Sequence, residues 1–360
     1  MRPLQGPSAS RGVGTYAKGL LGGLIAAGFD ANLTLLLDSG LDDPSMPQGG
    51  YRVSHTRRRY RGQLAGYEEA AVARFDLERI KPDVYHAISL RLPGRSPCPL
   101  VVTLHDLIPW AWGGPHMRGE RMRYWLGKRL LRRADMILAV SQTTADDAIK
   151  FARIDPHRLR VVLEAADAIF SPRQDANLRV KQRWNLEPGF LLFVGALDAR
   201  KDPTSLLTAW STARIASPNL ELVIAGVPGP QAPASMPGAH MVGRIDEAEL
   251  ADLYSAAGCF VFPSRYEGFG LPCLEAMACG CPVAAYRNSS VEEVVNSSGT
   301  LVADGDAAGL GRAAAEMAAA PERWRKAGLE RARQFSWSKT AQQTIDAYEA
   351  VLARGIIQPH

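Results

Sequence analysis

The feature that most constrains the fold is a regular alternation of short apolar runs with segments of helical pattern. The runs PLVVTLHD (99–106), GFLLFVGAL (189–197) and GCFVFPS (258–264) are nearly continuous in apolar residues, and helical patterns lie between successive runs. Strands that are buried on both faces of a parallel sheet have this composition, because the crossover helices cover both faces. The alternation therefore predicts an α/β protein with parallel sheets.

The alternation occurs in two stretches of the chain. A length of 360 residues suffices for about two domains of ordinary size. We predict a first domain over 1–172 and a second over 188–339, and we interpret the segment 171–189 between them as an irregular joint. The segment 38–61 is rich in Pro, Gly and Arg and is interpreted as a loop. A C-terminal helix, within 340–360, is predicted to cross back and pack on the first domain.

Composition and charge limit the class of protein. Hydrophobic residues make up 46% of the chain and charged residues 22%, which is the balance of an ordinary soluble globular protein. The five cysteines form no CxxC pair, which favours reduced thiols in a cytoplasmic protein. The sequence has no apolar stretch of about 18 residues and no apolar core of a signal peptide near its start. A formal net charge of +5 favours an anionic partner, and phosphate, nucleic acid and an acidic membrane all stay open.

Small and polar residues follow the ends of the predicted strands. His105 and Asp106 end the first run quoted above, and Gly195 opens the turn that leads to Lys201. Gly226 ends the run LVIAG. In open α/β sheets, ligands bind at the carboxyl ends of the strands. These residues are therefore candidates for a ligand site.

The stretch SRYEGFGLPCLEAMACGCPV places two acids around another strand end. Gly268 and Gly270 allow positive φ and a close approach of the backbone to a ligand. Pro272 suits the first turn of a helix, whose free N–H groups can bind an anion. Glu275, about one turn into that helix, can accept hydrogen bonds from two adjacent hydroxyls, and Glu267 would face another part of the same ligand. The residues alone leave a second interpretation open, in which the acids only complement the helix dipole.

The part EGFGLPCLEAMACGCPV resembles the E-x7-E signature of retaining glycosyltransferases of the GT-B architecture, in glycosyltransferase family 4. The resemblance extends over most of the chain, through GVGTY, VTLHD, FVGALDARKD, LVIAG, VGRID and FSWSKTAQQTIDAYEAVL. It implies two Rossmann-like domains that face a cleft, with a nucleoside diphosphate sugar mainly on the second. It also implies transfer of a hexosyl group with retention, without a metal ion or another cofactor.

The resemblance assigns expected roles to the residues of this signature. Glu275 resembles the acid that holds the ribose hydroxyls of the donor, and Glu267 resembles the acid that contacts the transferred sugar. The backbone of Phe269, Gly270 and Leu271 would bind sugar hydroxyls and the diphosphate.

Two cations and a histidine at other strand ends match the family as well. Arg200 and Lys201 can neutralise a diphosphate leaving group as its charge develops. Many relatives carry a further arginine directly after the glycine that corresponds to Gly195, whereas this chain has Ala196 there. We therefore expect Arg200 to take a larger part in binding the diphosphate. His105 resembles the histidine beside the reacting sugar, and we expect it to orient the sugar or stabilise charge rather than to act as an obligatory base.

Three further segments would complete the donor site. Gly12 and Gly14 lie in GVGTYA, which fits a dinucleotide fingerprint, but no convincing strand precedes it and a nicotinamide or flavin enzyme is not expected. In the family, a glycine-rich loop here approaches the donor phosphate and the acceptor. The backbone near Arg244 and Ile245 would bind the nucleotide base, and Ser264 would touch the nucleotide.

The start of the chain departs from the family pattern. Relatives begin with a complete strand that leads into GVGTY, whereas this sequence offers at most residues 1–4. Either the true start lies upstream of Met1, or the N-terminal sheet lacks its first central strand. Loss of a buried strand would leave unpaired backbone groups and a gap in the core. We therefore expect weak stability or activity of the chain as written, and a gain from a chain that is extended upstream.

Two basic segments remain outside the expected donor site, RRRYR (57–61) and RGERMRYWLGKRLLRR (118–133). The second is predicted to be a cationic helix with interleaved Trp, Tyr and Leu. Such a face can lie on an anionic membrane, contact a phosphate-bearing acceptor, or be a solvated surface whose apolar stripe packs on the sheet. No nucleic-acid motif accompanies the charge, and we do not expect a nucleic-acid partner.

The donor and the acceptor are only partly constrained. The motifs VTLHDLIPW and ALDARKD resemble those of mannosyltransferases and other hexosyltransferases of polysaccharide assembly. This resemblance favours GDP-mannose over UDP-sugars as the donor. A glycan, a lipid-linked glycan and other acceptors stay open, as does the oligomeric state. The alternatives are a non-catalytic nucleotide-sugar-binding or scaffolding subunit, and a sugar-nucleotide epimerase or phosphorylase with the same architecture.

Overall fold

A computed structural model describes residues 4–5, 12–44, 46–57, 65–114, 117–227, 229 and 236–356. The chain forms two compact units. Unit 1 contains Met1–Ala165 and Ser336–His360, and unit 2 contains Ala166–Phe335. Most of the basic segment RRRYR lies outside the described residues.

Helices and strands alternate along both units. In chain order the described helices are α1 (Gly12–Ala26), α2 (Ala65–Ile80), α3 (Ile108–Ala111), α4 (Arg118–Leu130), α5 (Gln142–Ala152), α6 (Ala176–Trp184), α7 (Pro203–Ala216), α8 (Glu247–Ala256), α9 (Leu271–Ala278), α10 (Ser289–Val295), α11 (Ala307–Ala319), α12 (Glu322–Ala332) and α13 (Trp337–Ile356). The described strands are β1 (Thr34–Leu37), β2 (Arg52–His55), β3 (Tyr85–Ala87), β4 (Leu100–Leu104), β5 (Met136–Ala139), β6 (Leu159–Val161), β7 (Leu191–Val194), β8 (Leu222–Ala225), β9 (Ala239–Gly243), β10 (Cys259–Phe262), β11 (Val283–Arg287) and β12 (Thr300–Ala303).

The main sheet of unit 1 has the order β3-β4-β5-β6 among the described residues, and all of its pairings are parallel. Every residue of β4 and β5 is buried, which explains why these two strands are continuous apolar runs in the sequence. Helices α2, α4 and α5 contribute to one hydrophobic core with this sheet, which includes Ala70, Leu130 and Ala148.

Strands β1 and β2 pair in parallel and form a separate sheet in the described part of unit 1. A cavity of about 400 Å³ is lined by residues of both β1 and β3 and by leucines of α1, α2 and α13. Gln5 lies beside the end of β1, where its side chain accepts a hydrogen bond from Asp38 N (2.9 Å) and donates one to Asp38 O (3.1 Å). The prediction of a missing first strand concerns residues 1–4, of which 1–3 lie outside the described residues.

The C-terminal helix α13 packs within unit 1. Ala347 and Val351 are buried against Val101 and Met136 of the main sheet. The Tyr348 hydroxyl lies 2.7 Å from Nδ1 of His86, a residue of β3, which pairs with β4. Helix α13 therefore contributes both apolar contacts and a partly buried polar contact to this unit.

In unit 2 the described strands form a six-stranded parallel sheet in the order β12-β11-β10-β7-β8-β9. The four strands β7, β8, β10 and β11 are almost entirely buried. Helices α7 and α11 pack on one face, where Trp210 and Leu310 join a hydrophobic core of the unit. These contacts and the parallel order fit the α/β fold that the sequence predicts.

Two local predictions are wrong. The segment 38–61 is not wholly a loop, because β2 lies within it; this strand has the sequence RVSH, is mostly exposed and so carries no apolar signal. The segment 171–189 is not irregular, because its middle forms α6. Arg179 of α6 forms bonds of 2.8 and 2.6 Å with the buried Asp252 of α8, a long-range contact that local sequence patterns cannot show.

All five cysteines are free thiols, as predicted, and four of them are buried. Burial raises the pKa of the Cys259 thiol to about 12, so this group is an inert part of the core. None of the helices in the described ranges is long and apolar enough to cross a membrane.

Candidate active site

The ends of three neighbouring strands in unit 2 meet at two glycines. Gly195, after β7, donates to Ala225 O, and Gly226, after β8, donates to Gly243 O, both at 2.9 Å. The φ of Gly226 is +155°, and a Cβ there would lie 2.0 Å from Gly195 O. Only glycine tolerates this approach, so the predicted site residue Gly195 lies at a closely packed strand end.

The turn after Gly195 presents two cations. The Asp198 side chain accepts hydrogen bonds from the backbone N–H groups of Arg200 and Lys201, both at 3.0 Å, and so caps the short 3₁₀ turn Ala199–Lys201. Arg200 O accepts a hydrogen bond from Arg265 N at 2.8 Å, which ties this turn to the segment after β10. The backbone of both cationic residues is therefore fixed by named contacts.

Arg200, Lys201 and Ser264 converge on one carboxylate oxygen, Glu267 Oε1, and we call these four residues the Glu267 cluster. Lys201 Nζ lies 2.7 Å from this oxygen, Arg200 Nη1 2.5 Å and Ser264 Oγ 2.5 Å. Lys201 and Glu267 are only 7% and 9% exposed. The Lys201 ammonium also lies 4.3 Å from the ring centre of Phe262. Four of the predicted site residues are thus brought together in a nearly dry position.

The cluster keeps Glu267 ionised. Burial raises the pKa of the Glu267 carboxyl, but the charges of Arg200 and Lys201 and the bonds from Lys201 and Ser264 outweigh burial and hold this pKa at about 2. Burial lowers the pKa of Lys201, and the carboxylate of Glu267 opposes that effect. The cluster carries two positive charges and one negative charge, which is an arrangement suited to a further anion.

Helix α10 holds the backbone of Glu267, a contribution that sequence analysis missed. Glu267 N donates to Ser289 Oγ at 3.0 Å, and Ser290 Oγ donates to Glu267 O at 2.9 Å. Both serines begin a helix directly after β11. The rule that strand ends carry function would have selected them, had it been applied to the run PVAAY as well.

Helix α9 begins after Gly270, whose φ is +96° as the sequence predicts, whereas Gly268 does not adopt a positive φ. Glu275 lies on this helix and is 9% exposed. Its Oε2 accepts a long hydrogen bond, 3.5 Å, from the buried Tyr254 hydroxyl of α8. Burial raises the pKa of the Cys273 thiol well above its usual value, and the carboxylates of both Glu267 and Glu275 act on it. Cys273 is therefore near both acids of the signature.

The other predicted donor residues of unit 2 lie at the same strand and helix ends. Phe269 is 5% exposed and packs edge-to-face on Phe335, and Leu271 is the first residue of α9. Arg244 and Ile245 form the link between β9 and α8, where Arg244 is exposed. None of the described contacts joins this link to the Glu267 cluster, and its binding of a base stays a prediction.

In unit 1, His105 follows β4 and has a partner that the sequence did not indicate. Its Nδ1 lies 3.1 Å from Glu164 Oε1, and its Nε2 lies 3.2 Å from Ile88 O. The neighbouring Asp106 accepts a hydrogen bond from Ile108 N, at the start of α3. Glu164 lies three residues beyond β6, where the strand order brings it to the same edge of the sheet.

Gly12 and Gly14 are in the first turn of α1 and not in a loop. Tyr16 lies on the same helix, two residues after Gly14. Its ring packs edge-to-face on the His105 imidazole, with 4.8 Å between the ring centres. The first turn of α1 therefore lies close to His105, and the role of the two glycines at the donor phosphate stays a prediction.

Comparisons with known proteins fit this architecture. The family model described as "Glycosyltransferase Family 4" matches residues 10–168, and the model "Glycosyl transferases group 1" matches residues 174–334. The "O-antigen chain mannosyltransferase B" of Escherichia coli is 31% identical over 318 residues, which cover 83% of this chain and 79% of the relative. The chain belongs to glycosyltransferase family 4. It is accordingly a glycosyltransferase, as the signature around Glu267 and Glu275 indicates.

Solved structures show that this family 4 glycosyltransferase has the GT-B fold. Sucrose-phosphate synthase from Thermosynechococcus elongatus matches with a TM-score of 0.76 and 23% identity, over 96% of this chain and 94% of the other. Anabaena Alr3699/HepE in complex with UDP matches with a TM-score of 0.71 and 17% identity, over 96% and 98%. The predicted fold class is therefore confirmed.

Among the described residues of this glycosyltransferase, no group of three or more His, Cys, Asp or Glu side chains could hold a metal ion. The predicted roles of the individual site residues stay predictions, and the Glu267 cluster is the arrangement on which a function can be argued.

Proposed function

We propose that this glycosyltransferase moves a hexosyl group from a nucleoside diphosphate sugar to an acceptor, with retention and without a metal ion. The observation that carries the proposal is the Glu267 cluster, in which Arg200 and Lys201 share one carboxylate oxygen. Two fixed cations in a nearly dry site can stabilise the charge that develops on a departing diphosphate. In this proposal they do the work that a metal ion does in other transferases.

The two acids of the signature take different parts of the donor in this proposal. Glu267 has a second carboxylate oxygen, Oε2, which can accept a hydrogen bond from a hydroxyl of the transferred sugar while Oε1 stays with the cations. Glu275 lies about one turn into α9 and accepts hydrogen bonds from the ribose hydroxyls of the nucleotide. Backbone N–H groups at Leu271 and in the turn before it face the diphosphate, because a helix start favours an anion.

We further propose GDP-mannose as the preferred donor and a glycan or lipid-linked glycan as the acceptor. The E. coli relative named as an O-antigen chain mannosyltransferase supports a mannosyl donor. The structural neighbour in complex with UDP supports a nucleoside diphosphate at this fold, with UDP-sugars as the second choice of donor.

The donor and the role of Glu275 are tested by one panel of melting temperatures. GDP, UDP, ADP and their sugars are added to the wild type and to Glu275→Gln. We expect GDP and GDP-mannose to raise the melting temperature of the wild type most, and the variant to bind them about ten- to a hundredfold more weakly, because hydrogen bonds to a charged acceptor are lost. Tyr254→Phe is the control, since it removes only the long bond to Glu275 Oε2. Equal binding by the wild type and Glu275→Gln would contradict the assignment.

A basic face on α4 supports a proposal that the protein binds an anionic membrane surface. Met122 is 73% exposed and Trp125 48%, and Arg118, Arg123 and Arg129 are exposed on the same helix. The Arg129 guanidinium lies 5.6 Å from the ring centre of Trp125. Exposed apolar side chains among arginines match a surface of anionic headgroups, each cation contributing about 1 kcal/mol.

The membrane proposal predicts a loss of vesicle binding in Arg123→Glu/Arg129→Glu. Vesicles of phosphatidylcholine with about one third phosphatidylglycerol should retain the wild type and not the variant, with a decrease of at least about tenfold. Arg214→Glu/Arg312→Glu, on exposed helix positions of unit 2, makes the same change in net charge and should bind like the wild type. Equal loss in both variants, or equal binding of the wild type to neutral vesicles, would contradict a specific membrane face.

A further inference from the structure

The hydrogen-bond partners of His105 restrict where its protons can lie. Nε2 faces Ile88 O at 3.2 Å, and a carbonyl oxygen only accepts, so Nε2 must carry a hydrogen. Nδ1 faces Glu164 Oε1 at 3.1 Å, which is also an acceptor when the carboxyl is ionised. A neutral imidazole has one N–H group and cannot serve both partners as a donor.

Both members of the pair are nearly buried. The side chain of His105 is 13% exposed and that of Glu164 is 6% exposed. A buried carboxylate needs a partner, and His105 provides one for Glu164. A proton on Nδ1 gives each group a counter-charge and satisfies both bonds.

His86, on the neighbouring strand β3, is in a contrasting environment. Its Nδ1 lies 2.7 Å from the Tyr348 hydroxyl and its Nε2 2.8 Å from Thr103 Oγ1. Hydroxyls can donate or accept, so a neutral ring satisfies both bonds there. Burial, with a smaller contribution from His105, lowers the pKa of His86 to about 3. His86 is therefore neutral at physiological pH.

Among the described residues, other polar and aromatic groups also pack around His105. The Tyr16 ring packs edge-to-face on the imidazole at 4.8 Å, and the Tyr16 hydroxyl lies 3.0 Å from Thr103 Oγ1 and not next to His105. The Thr144 hydroxyl donates to the backbone carbonyl of His105. Asp106 accepts a hydrogen bond from Ile108 N at the start of α3, and Glu164 is a carboxylate in hydrogen-bonding contact with the ring.

We propose that Glu164 is a positioning residue that holds His105 as an imidazolium ion in this glycosyltransferase. Because both ring N–H groups are engaged by protein acceptors, His105 offers no basic nitrogen to the acceptor hydroxyl. It acts instead as a fixed positive charge at the end of β4. The catalytic part of this inference rests on the proposed function, whereas the protonation of the ring does not.

Glu164→Gln is the variant that tests the pair. The glutamine amide has nearly the same shape and can donate to Nδ1, so a neutral ring with a hydrogen on Nε2 would keep both hydrogen bonds. In ¹⁵N-histidine spectra near neutral pH, we expect the wild type to show two protonated nitrogens for His105, and the variant only one. A single protonated nitrogen in the wild type would overturn the proposal, whether or not a donor has been found.

The same variant has a kinetic signature. We expect Glu164→Gln to lower kcat roughly ten- to a hundredfold at about pH 8, with KM nearly unchanged. The deficit should shrink as the pH falls to about 6, because the ring then takes up a proton from solvent. Asp135→Asn is the control, since Asp135 accepts a bond from Leu100 N in the same sheet and its loss should not alter the pH profile. A deficit in Glu164→Gln that is equal at every pH would show a merely structural role and overturn the assignment.

Discussion

Glu267→Gln is expected to lower the rate of hexosyl transfer by about 10²- to 10³-fold, which is the cost of losing one preorganised charge or hydrogen-bonding group at a reacting centre. The physical reason is the geometry of the cluster. Oε1 of Glu267 orients Arg200, Lys201 and Ser264 at 2.5–2.7 Å, so a neutral amide would loosen all three contacts. Transfer is measured as the release of free nucleoside diphosphate, with the wild type at equal concentration.

The melting temperature of Glu267→Gln should also depend more strongly on bound nucleotide than that of the wild type. Removing the carboxylate leaves the buried Lys201 without its counter-charge, and breaking a buried ion pair costs about 3–5 kcal/mol. A bound diphosphate supplies the missing negative charge, so GDP or UDP should raise the melting temperature of Glu267→Gln more than that of the wild type. An unchanged melting temperature without nucleotide, and an equal shift with it, would contradict the cluster as the diphosphate site.

The pH dependence of stability has a definite sign. The pKa of the Glu267 carboxyl is lowered from 4.5 to about 2 in the folded chain. Its contribution is therefore complete above the unfolded value of 4.5 and is lost as the pH falls through about 2. Glu267→Gln should lack this part of the acid transition, which a series of melting curves in this window measures.

Lys201→Met is expected to have the second large effect, a decrease in kcat/KM of about 10²- to 10³-fold. Methionine keeps much of the aliphatic packing of a side chain that is 7% exposed, so the change removes mainly the charge. Lys201→Arg should not restore the rate, because a planar guanidinium does not fit the contacts of a buried ammonium.

The chain offers a matched control for Lys201. Lys128 on α4 also lies over an aromatic ring, 4.5 Å from the centre of Trp110, but it belongs to unit 1, whereas the Glu267 cluster belongs to unit 2. Lys128→Met should keep the rate of transfer in a soluble assay. Equal losses in Lys128→Met and Lys201→Met would show that the rate reflects general destabilisation and not a charge at the leaving group.

Local sequence signals predicted the fold class and much of the candidate site because those signals are strong here. The apolar runs of β4, β7 and β10 are short and nearly continuous, and the polar residues that follow them mark strand ends. Arg200, Lys201 and Glu267 were selected on that ground and are in fact in contact. Gly270 was selected for positive φ, which the structure bears out at +96°.

The residues that sequence reasoning missed depend on contacts between distant segments. Glu164 reaches His105 across 59 positions of the chain, and Ser290 reaches Glu267 across 23. Strand β2 was missed because its side chains are mostly exposed, and α6 because its tie to Asp252 spans 73 positions. Spacing rules apply within one helix or strand, and they carry no information about such pairs.

The central claim is that the Glu267 cluster takes the diphosphate of a sugar donor that is then consumed by transfer. The most direct test incubates the protein with GDP-mannose and an alkyl α-mannoside, and follows phosphorus and anomeric proton signals by NMR. We expect free GDP together with a new α-linked mannoside, and neither product with Glu267→Gln. A β-linked product, mannose 1-phosphate, or the same products at the same rate with Glu267→Gln would contradict the central claim.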